Sequence, residues 1–494
     1  MVLTSAQMRS LEERTFADGI SAEDLMEEAG RRIAEAVVQF FPEAGRCVVV
    51  FGKGHNGGDA LVAARHLQHA GWTLELLAAY PKEQWTPLTQ IQYSRVKAPS
   101  SGDSTLGCRC TIVLDGLLGI GATGTLREPI LRACREINRL RIEENAHVFA
   151  LDLPTGLDGE SGAVAEGGVV ADTTLAIGCA KRGLIEDGAA DRVGRIAALP
   201  LAELTKRMDR SIGDDTSVAT ASELSRLLPR RAFNTHKGMA GRIGILAGSR
   251  GMAGAAVMCA AGAVRGGGGL VTLHVPREIY DIVATRTIPE IMVKPFSSPL
   301  KILEDAYQSV AIGPGIGTAM NSEILELVVN CQSPVVLDAD ALTCLETNVS
   351  ALERAAALRL LTPHPGEMAR LDPASNGRSR RATVEAFMER SSHALLLKGA
   401  RTIVGQRGKP LSYNSTGHPG LATGGVGDVM TGVLAALMGQ GLSCYDAARL
   451  GSWVIGRAAE IAIFQGEESA ESLIPTGLLS CLGQAFKSLR EGAH

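Results

Sequence analysis

The chain has 494 residues, too many for one hydrophobic core and enough for two or three domains. Hydrophobic residues make up 45% and aromatics only 4%, with mean hydropathy +0.11, the profile of an Ala/Gly/Leu/Val-rich α/β protein. A net charge of −4 leaves no basic footprint for nucleic acid, and no apolar run reaches the roughly 18 uncharged residues of a membrane span. The opening stretch MVLTSAQMRSLEERTF carries charges and no apolar signal core. The ten cysteines show no CxxC zinc spacing, since Cys108 and Cys110 form only a CxC. They read as reduced thiols, and the expected location is cytoplasmic.

Through the first half, short apolar runs alternate with helical periods. Residues 46–51 (RCVVVF) predict a buried parallel strand, followed by Gly52-Lys53-Gly54-His55-Asn56-Gly57-Gly58-Asp59 and a helix over 60–70. Further strands are expected at 74–79, 111–114, 147–151 and 173–177, with a helix over 127–141. Near-continuous apolar strands separated by helices indicate a parallel, doubly wound sheet. Asn56, Gly57 and Gly58 lie between strand and helix, where their amides can hold a phosphate, although the segment is no GxGxxG fingerprint. Asp115 follows the strand at 111–114, and Asp152-Leu153-Pro154-Thr155 follows that at 147–151. Any one of these acids could be a turn former or a helix cap. Together the strand ends offer amide, carboxylate and hydroxyl oxygens, hard ligands for an alkali or alkaline-earth cation and unsuited to zinc. The polar stretch 206–222 is the expected linker.

The second half restarts the pattern. Strands are expected at 242–247, 270–275, 310–312, 335–337, 358–361 and 395–397, with a helix over 254–265. The segments beside them are rich in chemistry: His236-Lys237-Gly238, Gly248-Ser249, the glycine run 266–269, Gly313-Pro314-Gly315-Ile316-Gly317, Asp338-Ala339-Asp340, Thr362-Pro363-His364-Pro365-Gly366-Glu367, and Lys398-Gly399-Ala400-Arg401-Thr402. An open parallel sheet delivers its loops to one edge, so they are expected to share a site. Last comes Thr423-Gly424-Gly425-Val426-Gly427-Asp428, running into a helix whose Val429, Val433, Leu434, Leu437 and Met438 fall on one buried face. Glycine amides and the positive end of a helix make a phosphate site. A carboxylate there either caps a structural strand-to-helix turn or has a task, the obvious one being to take the proton from a hydroxyl that attacks a phosphoryl group. Asp428 is the candidate base.

As an ordered set, HKG, GPGIG, LDADAL, LTPHPGE, LLKGARTIV and NSTGHPGLATGGVGD resemble the ribokinase-like family, specifically its NAD(P)H-hydrate dehydratase branch, from about residue 219 to the C-terminus. The first-half motifs resemble the NAD(P)H-hydrate epimerase domain over about 1–204. The resemblance implies two three-layer α/β/α domains: a Rossmann-like parallel sheet in 1–210 and a ribokinase-like sheet in 219–494. It implies that Lys398, Gly399, Ala400, Arg401, Thr402 and Gly427 contact ADP or ATP, while Gly424, Gly425 and Gly427 form the anion hole. Ala256, Gly315 or Gly317, His364 and Asp428 would contact the hydrated dinucleotide, with Asp428 deprotonating its C6 hydroxyl. In the first half, Asn56, Asp115 and Thr155 would hold K+. His55, Asn56, Gly57, Gly58 and Asp59, together with Gly119, Ile120, Gly121, Ala122, Thr123, Gly124, Thr125 and Asp152, would contact the substrate, with Asp152 as the acid/base at C6. Glu367 is the candidate for assisting Mg2+.

The chain departs from the family at His418, where Asn is usual, and at His55 and Ala60, where Asn and Gly are usual. His418 is expected to touch its loop rather than the chemistry, and His55 to alter substrate affinity. The implied activity is repair of hydrated NADH and NADPH: an isomerase exchanging the C6 epimers, and a nucleotide-dependent lyase dehydrating one of them. The expected partners are that substrate, an adenine nucleotide and further copies of the chain, with no nucleic acid and no membrane. The competing reading is a small-molecule kinase of a vitamin precursor with a non-catalytic N-terminal binding module.

Overall fold

A computed structural model describes residues 1–97, 110–122, 124–208 and 215–492. Cys108, Thr123 and residues 209–214 of the expected linker lie outside the described residues. The chain divides into two compact units, Met1–Thr220 and a second beginning at Ala221. Among the described residues no helix is long and apolar enough to cross a membrane.

The first unit is built on six parallel strands: β1 (Arg46–Phe51), β2 (Thr73–Ala78), β3 (Thr111–Gly116), β4 (His147–Leu151), β5 (Thr173–Ile177) and β6 (Arg195–Leu199). Their order is β2-β1-β3-β4-β5-β6. The order reverses between β1 and β3, which is where the loops of such a sheet part to admit a ligand. Val48, Val49, Val113, Leu114, Val148 and Phe149 are fully buried, each stabilising the fold by roughly 1.5–3 kcal/mol. Its helices include α1 (Ser5–Ala17), α2 (Ala22–Phe40), α3 (His55–His69) and α4 (Ile130–Glu143).

Helix α3 begins five residues before the expected start at 60, and its glycines explain why. A Cβ at Gly57 would fall on the Gly52 carbonyl, and one at Gly58 on the Met26 side chain of α2, so only glycine lets the first turn press this close. The loop expected at 55–59 is therefore helix, and the Gly58 amide already bonds Gly54 O at 3.1 Å. Strand β6 escaped the sequence reading because RIAAL opens with a charge and carries two alanines.

The second unit contains nine strands running in one sheet: β7 (Arg242–Leu246), β8 (Leu270–Pro276), β9 (Ile291–Phe296), β10 (Ser309–Ile312), β11 (Val335–Leu337), β12 (Arg359–Leu361), β13 (Ala394–Leu397), β14 (Ile403–Gly405) and β15 (Leu411–Tyr413). They follow the order β9-β8-β7-β10-β11-β12-β13-β14-β15, parallel up to β13 and antiparallel beyond it. The sequence pattern missed β9, an end strand interrupted by Lys294 and Pro295, and the three-residue β14 and β15. The helices that matter for the site are α5 (Ala253–Arg265), α6 (Pro365–Leu371), α7 (Val426–Gly439) and α8 (Cys444–Phe464).

The single buried face expected for α7 is corrected: every residue from Val429 to Gly439 is buried. Helix α5 crosses it almost backbone to backbone, because a Cβ at Gly432 would fall on the Cys259 carbonyl and one at Gly262 on the Val429 carbonyl. The Ser309 hydroxyl of β10 donates to Ala435 O at 2.6 Å and pins α7 to the sheet. These contacts fix where the N-terminus of α7 points.

Candidate active sites

In the first unit Asp115 is the next-to-last residue of β3 and has no exposure. Its Oδ1 accepts from the Thr155 hydroxyl at 2.7 Å and the Leu117 amide at 3.3 Å, and its Oδ2 accepts from the Thr155 amide at 2.8 Å. Burial pushes its pKa up to about 6 against the pull of these donors. Asn56 donates through Nδ2 to Leu118 O at 2.9 Å, and the Leu118 amide donates to Thr155 Oγ1 at 3.2 Å. Asn56, Asp115 and Thr155, far apart in the chain, thus meet around one loop.

Asp152 stands beside them at φ 69°, a left-handed conformation that costs a non-glycine residue about 1–3 kcal/mol. Its Oδ1 is ion-paired with Lys181 and accepts the Ile177 amide at 3.2 Å. Its Oδ2 lies 4.0 Å from where a Cβ on Gly119 would stand, so it faces the loop that begins there. Half-buried Asp59 has its pKa pushed well up by desolvation and then by the charges of Asp152 and Glu12, with Lys181 opposing. His55, Gly121, Gly124 and Thr125 are exposed, and Ile120 and Ala122 are half-buried.

In the second unit the convergence is around Asp338, which ends β11. Its Oδ1 accepts from Lys398 Nζ at 2.5 Å and its Oδ2 from the Thr431 hydroxyl at 2.7 Å. Ala339 follows at φ 47°, and Asp340 Oδ2 accepts the Gly317 amide at 2.8 Å, tying the 313–317 loop to this strand end. Gly315 and Gly317 need their positive φ of 61° and 72°, and Ser249 donates to Gly315 O at 2.8 Å. The Lys398 amide donates to Pro363 O at 2.9 Å, joining the 362–367 loop to β13. A Cβ on Gly427 would lie 3.4 Å from Lys398 Nζ and 3.7 Å from Asp338 Oδ2. Glycine therefore keeps an open cleft between the lysine and the start of α7.

Asp428 is half-buried in the first turn of α7. Its pKa is pushed up to about 7, first by desolvation and then by Asp338, with Lys398 opposing and Asp340 adding. The helix opens on Gly425, left-handed at φ 95°, and Gly424 has open space around it. A group of this proton affinity beside a lysine and a glycine-led helix end can accept a hydroxyl proton while an anion is held.

The structure brings Lys398 and Gly427 to Asp338, ties Gly317 to Asp340 through its amide, and holds Gly315 through Ser249. The Ala256 methyl group is fully buried beneath Gly248. His364 is exposed and caps α6: its Nδ1 accepts the Gly366 amide at 3.0 Å, while its own amide donates to Glu367 Oε2 at 2.8 Å. Glu367 thus closes a capping box, a role that requires no metal. Among the described residues no group of three or more His, Cys, Asp or Glu gathers as a metal cluster. Gly399 and Ala400 are exposed, and Arg401 sits at φ 55°. His418 Nδ1 accepts the Gly420 amide at 3.2 Å, so this departure serves its loop.

Three residues lay beyond the sequence reading. Lys181 carried one signal, a charge set in the small residues GCAKRG just after a buried strand. Asp338 was visible as a motif without a role, and Thr431 only as a hydroxyl three residues after Asp428.

Comparison with known proteins follows the same division. A family model described as NAD(P)H-hydrate dehydratase matches residues 243–479, and one described as YjeF-related protein N-terminus matches 22–183. A Coxiella burnetii protein named bifunctional NAD(P)H-hydrate repair enzyme Nnr is 33% identical, covering 94% of this chain and 95% of its own length. The Escherichia coli protein of the same name is also 33% identical, over 95% of this chain and 91% of its own length. Among solved structures, the ADP/ATP-dependent NAD(P)H-hydrate dehydratase of Bacillus subtilis, co-crystallized with ATP/Mg2+, aligns at 27% identity and TM-score 0.49, covering 55% of this chain and 97% of that one.

Proposed function

We propose how two activities are divided within a chain that belongs to the family of bifunctional NAD(P)H-hydrate repair enzymes. The second unit dehydrates hydrated NADH or NADPH at the expense of a nucleotide, and the first exchanges the C6 epimers so that both reach it. The observation that carries the dehydration reading is Asp428: a carboxylate with its pKa raised to about 7, set at a glycine-led helix end next to Lys398.

Asp428 takes the proton of the C6 hydroxyl as its oxygen attacks the terminal phosphoryl of ADP or ATP. The bond from that phosphorus to the bridging oxygen breaks, and the shortened nucleotide leaves with the electrons. The C6 phosphate ester then departs as phosphate while C5 loses a proton, which restores the 5,6 double bond. Amides of Gly424, Gly425 and Gly427 and the Lys398 ammonium meet the charge on the phosphoryl oxygens. Asp338 holds Lys398, and through Thr431 it holds α7, so both phosphate-facing groups share one anchor. Gly399 to Thr402 follow Lys398 toward the rest of the nucleotide. Mg2+, arriving with the nucleotide, would neutralise part of the phosphate charge.

In the first unit Asp152 moves the proton at the C6 oxygen while the hydroxyl leaves and returns as water from the other face. Asn56, Asp115 and Thr155 suit a monovalent cation: the Asp115 carboxylate is fully buried, and its oxygens accept from amides and a hydroxyl. K+ there would supply a charge that organises the 115–119 loop.

Incubating the full chain with hydrated NADH and either ADP or ATP tests the reading. Recovery of reduced-nicotinamide absorbance is expected with at least one nucleotide. No recovery with either sinks it, and accumulation of a stable phosphate ester would favour a kinase.

A further inference from the structure

Lys181 belongs to no motif assigned so far, yet it is among the largest fully buried side chains. Its Nζ is ion-paired with Asp152 Oδ1 and donates to Ile177 O at 2.8 Å. Asp152 Oδ1 also accepts the Ile177 amide at 3.2 Å. One carboxylate oxygen is thereby occupied, while Oδ2 faces the loop at Gly119. The lysine is delivered by a two-residue strand, Ala180–Lys181, paired in parallel with Val2–Leu3 so that Leu3 stands opposite Lys181. That N-terminal strand and α1 lie before the segment 22–183 that the family model matches. Helix α1 also reaches the loop, since Arg9 donates to Ile120 O at 2.8 Å. One helical step further along the same face, Glu12 feels the charges of Lys181 and Asp152.

We propose that Lys181 is a positioning residue for epimerisation: it takes up one oxygen of Asp152 and aims the other at the substrate loop. The inference rests on the reading of Asp152 given above. A carboxylate held at positive φ has no backbone freedom to correct a wrong aim, so the bonds to Oδ1 decide where Oδ2 points. Lys181 is also the cation that balances the acids gathered here, Asp152 from the end of β4, Asp59 from α3 and Glu12 from α1, the last also acted on by Arg9 and Glu13. Without it these acids would face one another with no cation on Asp152 Oδ1.

The test uses the full chain and an equilibrium mixture of hydrated NADH epimers with saturating nucleotide. Dehydration of the usable epimer gives a fast phase, and conversion of the other gives a slow one. With dehydration kept in excess, Lys181→Met should slow the second phase by about 100-fold through kcat, with KM within about 2-fold, and leave the first unchanged. The acid limb of the slow phase should move to higher pH, and Lys181→Arg, which keeps the charge, should restore at least about a tenth of the rate. A slow phase within about 3-fold of the wild type overturns the proposal. So does residual exchange that keeps the wild-type pH profile without rescue by Lys181→Arg, as a merely structural lysine would give. Asp152→Asn runs in parallel. If it too leaves the slow phase intact, the epimerisation reading falls and takes this inference with it. If it abolishes exchange while Lys181→Met does not, only the role of Lys181 is lost.

Discussion

Each unit sets a lysine against an aspartate at a strand end, but the two pairs are wired differently. In the first unit Lys181 is bonded to Asp152, the aspartate that faces the loop. In the second Lys398 is bonded to Asp338, and Asp428 has only the lysine's more distant attraction against two acidic neighbours and desolvation. A direct counter-ion fixes where a carboxylate points, whereas Asp428, with only a more distant lysine, is left with a raised proton affinity. The contrast suits the chemistry proposed. Deprotonating an alcohol calls for a base with high proton affinity, and moving a proton to and from the C6 oxygen calls for a fixed aim.

Exchanging the two aspartates' fates tests that contrast most severely. Asp428→Asn should lower dehydration by about 10³-fold while epimer exchange and nucleotide binding persist. Loss of nucleotide binding in that variant would assign Asp428 a structural role instead. The helix crossing that aims Asp428 should be next in sensitivity. Gly432→Ala drives a methyl group onto the Cys259 carbonyl, and an overpacked crossing should cost about 1–3 kcal/mol, read as a lowered Tm with dehydration impaired and exchange intact. An unshifted Tm would mean that α5 and α7 are not held this closely.

Thr431→Val removes the hydroxyl that ties α7 to Asp338. A hydrogen bond to a charged group contributes about 1.5 kcal/mol or more, so kcat for dehydration should fall by about 10-fold. Activity equal to wild type would show that Lys398 alone positions Asp338. The smallest effect is in stability. In the unfolded chain Asp428 releases its proton near its ordinary value of 3.8, and in the folded chain only near 7. The folded state binds the extra proton between those values, so this group's contribution to stability declines as pH rises from about 4 to about 7. Asp428→Asn lacks the decline, and its Tm advantage over wild type should grow by a few degrees between pH 4.5 and pH 8, a gain on the order of 1 kcal/mol. In activity the same group should place an acid limb of kcat/KM near pH 7. Parallel Tm curves for the two proteins would remove the case for a raised pKa.

Most of the parallel core was legible because parallel strands are buried on both faces and appear as unbroken apolar runs, as in RCVVVF, HVFAL and ALLL. Strand β9 broke the pattern because an end strand tolerates Lys294 and Pro295. The start of α3 was misplaced for a different reason. Glycine in sequence signals a loop, but Gly57 and Gly58 are there to let a helix touch a strand end and Met26. The candidate site divided along the same line. Motif residues proposed to meet the ligand stood out as glycine and aspartate patterns. Lys181, Asp338 and Thr431 act on those residues through side chains that reach across the fold, and no spacing rule connects residue 152 with 181, or 338 with 398 and 431.

The two α/β units, the order of their loops and the glycine-led helix end with its aspartate are legible along the chain, because hydrophobic period and backbone freedom are local properties. Folding alone settles which aspartate is paired with a lysine and which keeps a raised affinity for protons. Charge pairing and desolvation depend on distances between residues that the chain brings together only when folded.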